Sequence, residues 1–192
     1  MIPTSTVEEQ EPGPGCAPKP SKLALLRRSV AEDLRWAWRY LVLGRLAASP
    51  FMPRAGRFLL YRSMRLGIRS ANIWPRCTIV GRRLSIGPGT FVNQQCFFEA
   101  IAPIQIGRAC QIGMSVMIVT SHHQLTGGGA LGNVTCRPVT IGDRVWIGAR
   151  ALILPGVAIA DRVVVAAGAV VSSDLVELGV YAGVPARKIR DL

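Results

Sequence analysis

Ile141, Ile147, Ile153, Ile159, Val165 and Val171 stand six residues apart without interruption. Neither a helix of 3.6 residues per turn nor a plainly alternating strand presents side chains at that interval. A short strand closed by a corner, and then repeated, does, because it sends one aliphatic residue inward from each flat face. Small residues follow most of these aliphatics (Gly142, Gly148, Ala160, Ala166, Ser172), with Leu154 the exception. Four residues after each stands a second apolar group: Val145, Ala151, Val157, Val163, Ala169 and Leu175. The same phase occurs upstream at Ile106, Ile112 and Ile118, partnered by Cys110 and Val116. It occurs again at Ile86 and Val92, partnered by Thr90 and Cys96, and begins at Ile73 and Ile79 with Cys77 in the partner position. The spacing predicts stacked triangular coils with inward columns of Ile and Val, and Pro88-Gly89 and Pro155-Gly156 suit the corners. Period alone does not set the hand of the winding, and the crossover preference of parallel strands favours a right-handed coil.

A chain of 192 residues suits one such domain with an extension. No apolar run approaches the roughly 18 residues of a spanning helix, and Glu8, Glu9 and Glu11 do not fit the basic-then-apolar order of a signal peptide, so a cytoplasmic protein is expected. The five cysteines show no CxxC spacing, which favours buried reduced thiols over disulfides or structural zinc.

Before the repeats, residues 1–20 mix Glu, Pro, Gly, Ser and Thr with little that is apolar, and read as a disordered tail. Leu23, Leu26, Val30, Leu34, Trp38 and Leu41 then recur at helical spacing, predicting a helix over about 22–47. A shorter helix through Phe58–Leu66 closes at Gly67. The expected domains are therefore the tail, a basic helical extension over 21–70 and the β-coil domain over 71–192. Net charge is +12, and residues 21–80 hold 12 basic residues against Glu32 and Asp33. A basic amphipathic helix fits packing on the protein or a sister subunit first, and peripheral contact of residues 22–66 with an anionic inner membrane face second. No recognition motif accompanies the arginines, so nucleic acid is not expected.

Between Ile118 and Ile141 the repeat is broken by 23 residues where six would do, which extrudes a loop over 122–138. It starts at His122 and His123, the only histidines, and carries Gly127-Gly128-Gly129 and Gly132-Asn133, so it reads as flexible. An imidazole at such a junction is placed to face a cleft and to accept a proton near neutral pH.

Several segments together carry a resemblance: Phe91-Val92-Asn93, Val119-Thr120-Ser121-His122-His123, Ile141 through Ala149, Ile153-Leu154-Pro155-Gly156-Val157, and Ala182 through Arg190. Over about three-fifths of the chain, residues 73–190 resemble the hexapeptide-repeat acyltransferases, notably the maltose, galactoside and nodulation O-acetyltransferases and those of polysaccharide biosynthesis. The resemblance implies a left-handed parallel β-helix, a homotrimer with sites between subunits, and acetyl-CoA as acyl donor. His122 takes the position of the family's general base and Asn93 that of the asparagine lining the acceptor site, with Glu99 and His123 as further acceptor-side candidates. Trp146, Ala149, Ala167 and Ser172 match the donor groove, where Gly148 is small enough to let a pantetheine arm pass. The Ala149 N–H matches the donor facing the thioester oxygen, and Arg187 and Arg190 match a C-terminal basic pair suited to phosphates. Ser173 departs from a position where relatives often carry Lys or Arg, with Lys188 as the nearest replacement. The expected reaction is O-acetylation of a sugar or glycan hydroxyl by direct transfer. The alternatives are N-acetylation of an amino-sugar and a noncatalytic scaffold. A metal-dependent relative of the carbonic anhydrase type needs three histidines and fits poorly, so no metal is expected.

Overall fold

Each six-residue unit puts its aliphatic residue on a short strand and its small residue at the following bend, so successive units stack. In the computed structural model, which describes residues 22–126 and 129–192, they form three parallel ladders. The tail expected over residues 1–20 lies outside the described residues. The first face stacks Gly67–Ile68, Leu84–Ile86, Ile104–Ile106, Val139–Ile141 and Ala158–Ile159. On the second are Phe91–Val92, Gln111–Ile112, Trp146–Ile147, Val164–Val165 and Val180–Ala182, and on the third Thr78–Gly81, Phe97–Ala100, Met117–Val119, Leu152–Ile153 and Val170–Val171.

The columns Ile86-Ile106-Ile141-Ile159, Val92-Ile112-Ile147-Val165 and Ile79-Phe98-Ile118-Ile153-Val171 are buried, in the phase that the spacing predicts. Phe98 belongs to that phase, six residues after Val92, as an aromatic among aliphatics. Each buried side chain contributes about 1.5–3 kcal/mol, which makes these columns the main cohesive element. The corners pass through the left-handed region. Arg76, Gln95, Ser115 and Arg150, with φ of 62, 64, 57 and 60°, share the bend between the second and third faces. Such a conformation costs a non-glycine residue about 1–2 kcal/mol. It is offset here because the bend amides reach the neighbouring coil: Gln95 N–H donates to Pro75 O (3.2 Å), Ser115 to Gln94 O (3.0 Å) and Arg150 to Met114 O (2.9 Å).

Cys77, Cys96 and Cys110 occupy the buried partner slots as free thiols, as expected. Cys96 is held protonated by its hydrogen bond with Cys77 and by burial, and burial pushes the Cys110 thiol up. Cys136 departs from the expectation and is exposed, because the chain has left the coil there.

Helix α1 (Lys22–Arg39) runs into a π-helical stretch over Tyr40–Leu46, and α2 covers Arg54–Ser63, starting earlier than expected. The compact units divide between Trp36 and Ala37, and residues 37–66 fall in the same unit as the β-coil. In the larger unit Leu43, Ala47, Tyr61 and Leu66 join the core. Arg57, only 2% exposed, is the clamp. Its Nε donates to Ala47 O (2.6 Å), Nη1 to Ile73 O (2.8 Å), and Nη2 to Ser49 O (2.9 Å) and Met52 O (3.0 Å). In the smaller unit the apolar side chains Leu23, Leu26, Val30, Leu34 and Trp36 are exposed.

Candidate active site

Between the third and first faces the chain leaves the coil after Thr120 and rejoins it at Arg137, whose N–H donates to Thr120 O (2.8 Å). The excursion read as a flexible loop is an antiparallel hairpin, Ser121–Thr126 against Gly129–Cys136, in which His122 pairs with Thr135. Glu99 anchors its root. One carboxylate oxygen accepts from the Thr120 and Ser121 N–H groups (3.1 Å each), and the other accepts from Ser121 Oγ (2.7 Å). Thr120 Oγ1 in turn donates to Glu99 O (2.6 Å) and accepts from the Ala102 N–H (3.0 Å). Glu99 thus holds the segment that carries the histidine.

The His122 ring is half-buried. Nε2 lies 2.9 Å from Thr135 Oγ1, and the same hydroxyl donates to His122 O at 3.3 Å. In the tautomer protonated on Nε2, the hydroxyl accepts from Nε2–H and donates to that carbonyl, and the imidazole lone pair is on Nδ1. Nδ1 is buried and has no hydrogen-bond partner among the described residues. A buried polar atom without a partner is uncommon, and in that tautomer it is the basic nitrogen of the ring. His123, next along the strand, is exposed.

The bend between the second and third faces carries most of the other expected residues. Asn93, Gly113, Gly148 and Ala166 open successive turns there. Asn93 Oδ1 accepts from the Gln94 N–H (2.8 Å), so its carboxamide is partly committed to the corner. Trp146 projects from the second face, 56% exposed. Coils approach so closely that a Cβ on Gly113 would meet Ala149 N at 2.6 Å, and one on Gly148 would collide with Ala167 N. Ala149 O accepts from the Gly168 N–H (2.8 Å), while no acceptor for the Ala149 N–H is found among the described residues. Ala167 and Gly168 are exposed, which completes a shallow track of small residues with polar backbone along it. That track fits the narrow arm and thioester of a pantetheine donor.

The remaining residues expected on the donor side lie elsewhere on the coil. Ser172 follows the third face, so it shares the hairpin's corner and not that of Ala149 and Ala167. Arg187 and Arg190 lie on an exposed C-terminal strand, Arg187–Arg190, that runs antiparallel to Val180–Ala182. Lys188 does not stand in for the basic residue missing at Ser173, because its ammonium pairs with Glu177 (2.9 Å) and Asp191 (2.7 Å). The expected residues therefore fall on both edges of the third face, with about four residues of strand, roughly 13 Å, between the edges. Sequence reasoning missed Thr135, since nothing in the spacing shows which residue of the excursion pairs with His122. Among the described residues no group of three or more His, Cys, Asp or Glu is placed to hold a metal ion.

Comparison with known proteins agrees with this geometry. The family model for the hexapeptide repeat of succinyl-transferase matches residues 138–173. The chain is 32% identical to a hexapeptide-repeat-containing acetyltransferase of Vibrio cholerae O1 biovar eltor solved with acetyl coenzyme A, with a TM-score of 0.70 and 90% of each chain covered. It is 34% identical to galactoside O-acetyltransferase of Escherichia coli over 58% of this chain and 56% of that protein. To nodulation protein L of Rhizobium meliloti it is 42% identical over 40% and 43%. The chain spans about half the length of the curated relatives it matches, 56% of the galactoside O-acetyltransferase and 43% of the nodulation protein. The chain belongs to the hexapeptide-repeat acetyltransferase family, and its coil is the left-handed parallel β-helix of that family. The general crossover preference does not hold in this coil.

Proposed function

We propose that the protein transfers an acetyl group from acetyl-CoA to a hydroxyl of a sugar or glycan, with His122 as general base. The observation that carries this reading is the His122 ring itself, fixed through Nε2 by Thr135 while Nδ1 has no hydrogen-bond partner among the described residues. His122 takes the proton of the acceptor hydroxyl as its oxygen attacks the thioester carbonyl. The Ala149 N–H donates to the oxyanion that develops, and the imidazolium returns its proton to the departing sulfur. The bond formed is the ester and the bond broken is the thioester, so no acyl-enzyme is needed. Asn93 orients the hydroxyl, and the exposed Arg187 and Arg190 supply charge for donor phosphates.

The site is completed between copies in a homotrimer. Two edges of one chain hold its halves, and the face between them presents an outward ladder of Phe97, Met117, Leu152 and Val170 in register. An apolar ladder on a sheet face calls for a covering partner, and a second copy brings one chain's hairpin toward another's small-residue track. The exposed apolar stripe of α1, with arginines beside it, is read as a peripheral contact with an anionic membrane surface. Like charge on neighbouring copies disfavours helix-to-helix pairing there. No helix among the described residues is long and apolar enough to cross a membrane.

Release of free CoA from acetyl-CoA in the presence of a panel of sugars tests the assignment. His122→Ala is expected to lower turnover by about two to four orders of magnitude without unfolding the chain. Near-normal turnover by that variant would remove the mechanism.

A further inference from the structure

A cavity of about 330 Å³ opens beside the first coil and is lined by Met52, Arg54, Arg57, Trp74, Pro75 and Gln94 among others. Its walls carry positive charge that no carboxylate among the described residues pairs with. Arg57 is buried, and all of its described hydrogen bonds go to backbone carbonyls, which solvate a guanidinium but leave its charge in place. Arg54 stands one helical turn away on the same side of α2 and makes a single long hydrogen bond, 3.5 Å, to Asn72 Oδ1. Between Asp33 and Glu99 the sequence has eleven arginines and no Asp or Glu. Every residue lining the cavity lies within that stretch, so the missing counter-charge does not come from its own neighbourhood in the chain.

The cavity also has an aromatic wall and a place in the fold. Trp74 is 40% exposed, and its ring is held edge-on by Phe91 at 6.0 Å between centroids. Gln94, at the cavity's edge, donates its N–H to the Asn93 side chain. A flat indole suits the apolar face of a pyranose ring, and a pair of guanidinium groups suits a carboxylate or phosphate. A pocket with an apolar wall and a few convergent polar groups is the usual form of a small-molecule site.

We propose that this cavity binds a sugar residue bearing a carboxylate or phosphate group, the ring against Trp74 and the anion on Arg54 and Arg57. The substrate class named here is thus an anionic saccharide, and the part of the inference that makes it the acceptor rests on the role proposed above for Asn93.

Calorimetric titration of the full chain with glucuronic acid, glucose 1-phosphate and glucose tests it. At least one anionic sugar is expected to bind about tenfold or more tightly than glucose. Arg54→Gln and Trp74→Leu are each expected to weaken that binding by about tenfold with an unchanged circular dichroism spectrum, and added salt should weaken it too. The two anionic probes separate a carboxylate from a phosphate preference. Equal affinity for glucose, or wild-type affinity in Arg54→Gln, would overturn the proposal. So would inorganic phosphate competing at the affinity of glucose 1-phosphate with no effect of Trp74→Leu. Selective anionic-sugar binding in a chain that releases no CoA would leave the cavity assignment standing and sink the transferase reading. Transfer to neutral sugars without anionic-sugar binding would do the reverse.

Discussion

Thr135 holds His122 by one nitrogen, and its importance is open to a direct test because it touches neither proposed substrate. As a positioning residue it fixes the tautomer, so Thr135→Val is expected to lower kcat about tenfold and to displace the pH–rate profile, while Thr135→Ser keeps both near the original. An unchanged profile in the valine variant would show that the hydroxyl serves structure alone. Arg57→Ala is expected to cost about 3–5 kcal/mol in denaturant unfolding, because four carbonyls and the buried junction of residues 47–52 with Ile73 lose their donor together. The position of His122 at the root of the excursion was legible in the sequence, since only two histidines exist and both stand where the period breaks. Thr135, Arg57 and the inward-facing role of Glu99 were not. Each acts through contacts between residues 5 to 22 apart, which the six-residue spacing does not encode.

The coil follows from its period because a six-residue unit has one way to bury one aliphatic residue per face, and register errors would expose a whole column. The hairpin has no such constraint. Its pairing slips between Ala130 and Val134, and its glycine-rich middle carries little pattern, so only its existence could be read. Glu99→Gln tests whether its root is set by charge. It is expected to loosen the Thr120–Ser121 turn and to raise amide exchange there, at a cost of about 1–3 kcal/mol, with the columns unaffected. The C-terminal strand has its own dependence on pH. Lys188 holds the Asp191 carboxyl below its ordinary range, so that pairing is present above the ordinary carboxylate range and is lost as pH falls through the lowered value. Asp191 and Glu177 hold the Lys188 ammonium above its ordinary value, so its share is complete below that value and is lost as pH rises through the raised one. Amide protection of residues 187–190 is expected to stay level from about pH 5 to 9 and to fall at both extremes, modestly because the pairs are exposed. A steady slope through neutrality would contradict this.

On the scale of the whole molecule, the split of the proposed site between two edges of one face ties activity to association. Met117→Asp, in the centre of the outward ladder, is expected to convert the proposed trimer to smaller species in light scattering, with turnover lost and the circular dichroism spectrum kept. Persistence of the trimer would place the interface elsewhere. Sedimentation with vesicles tests the reading of α1: binding should require anionic lipid, weaken at high salt and disappear in a Val30→Glu, Leu34→Glu variant. Equal binding to neutral vesicles would exclude a charge-led contact. The reversed direction of the C-terminal strand matters here as well. A stack of parallel rungs offers its last rung as a template for the next molecule, but this stack finishes on a strand laid head-to-tail against its neighbour and rich in like-charged arginines. At the opposite end, residues 48–57 are bonded onto the first turn. Fibre growth along the axis is therefore blocked at both termini, which leaves lateral association as the open route to assembly.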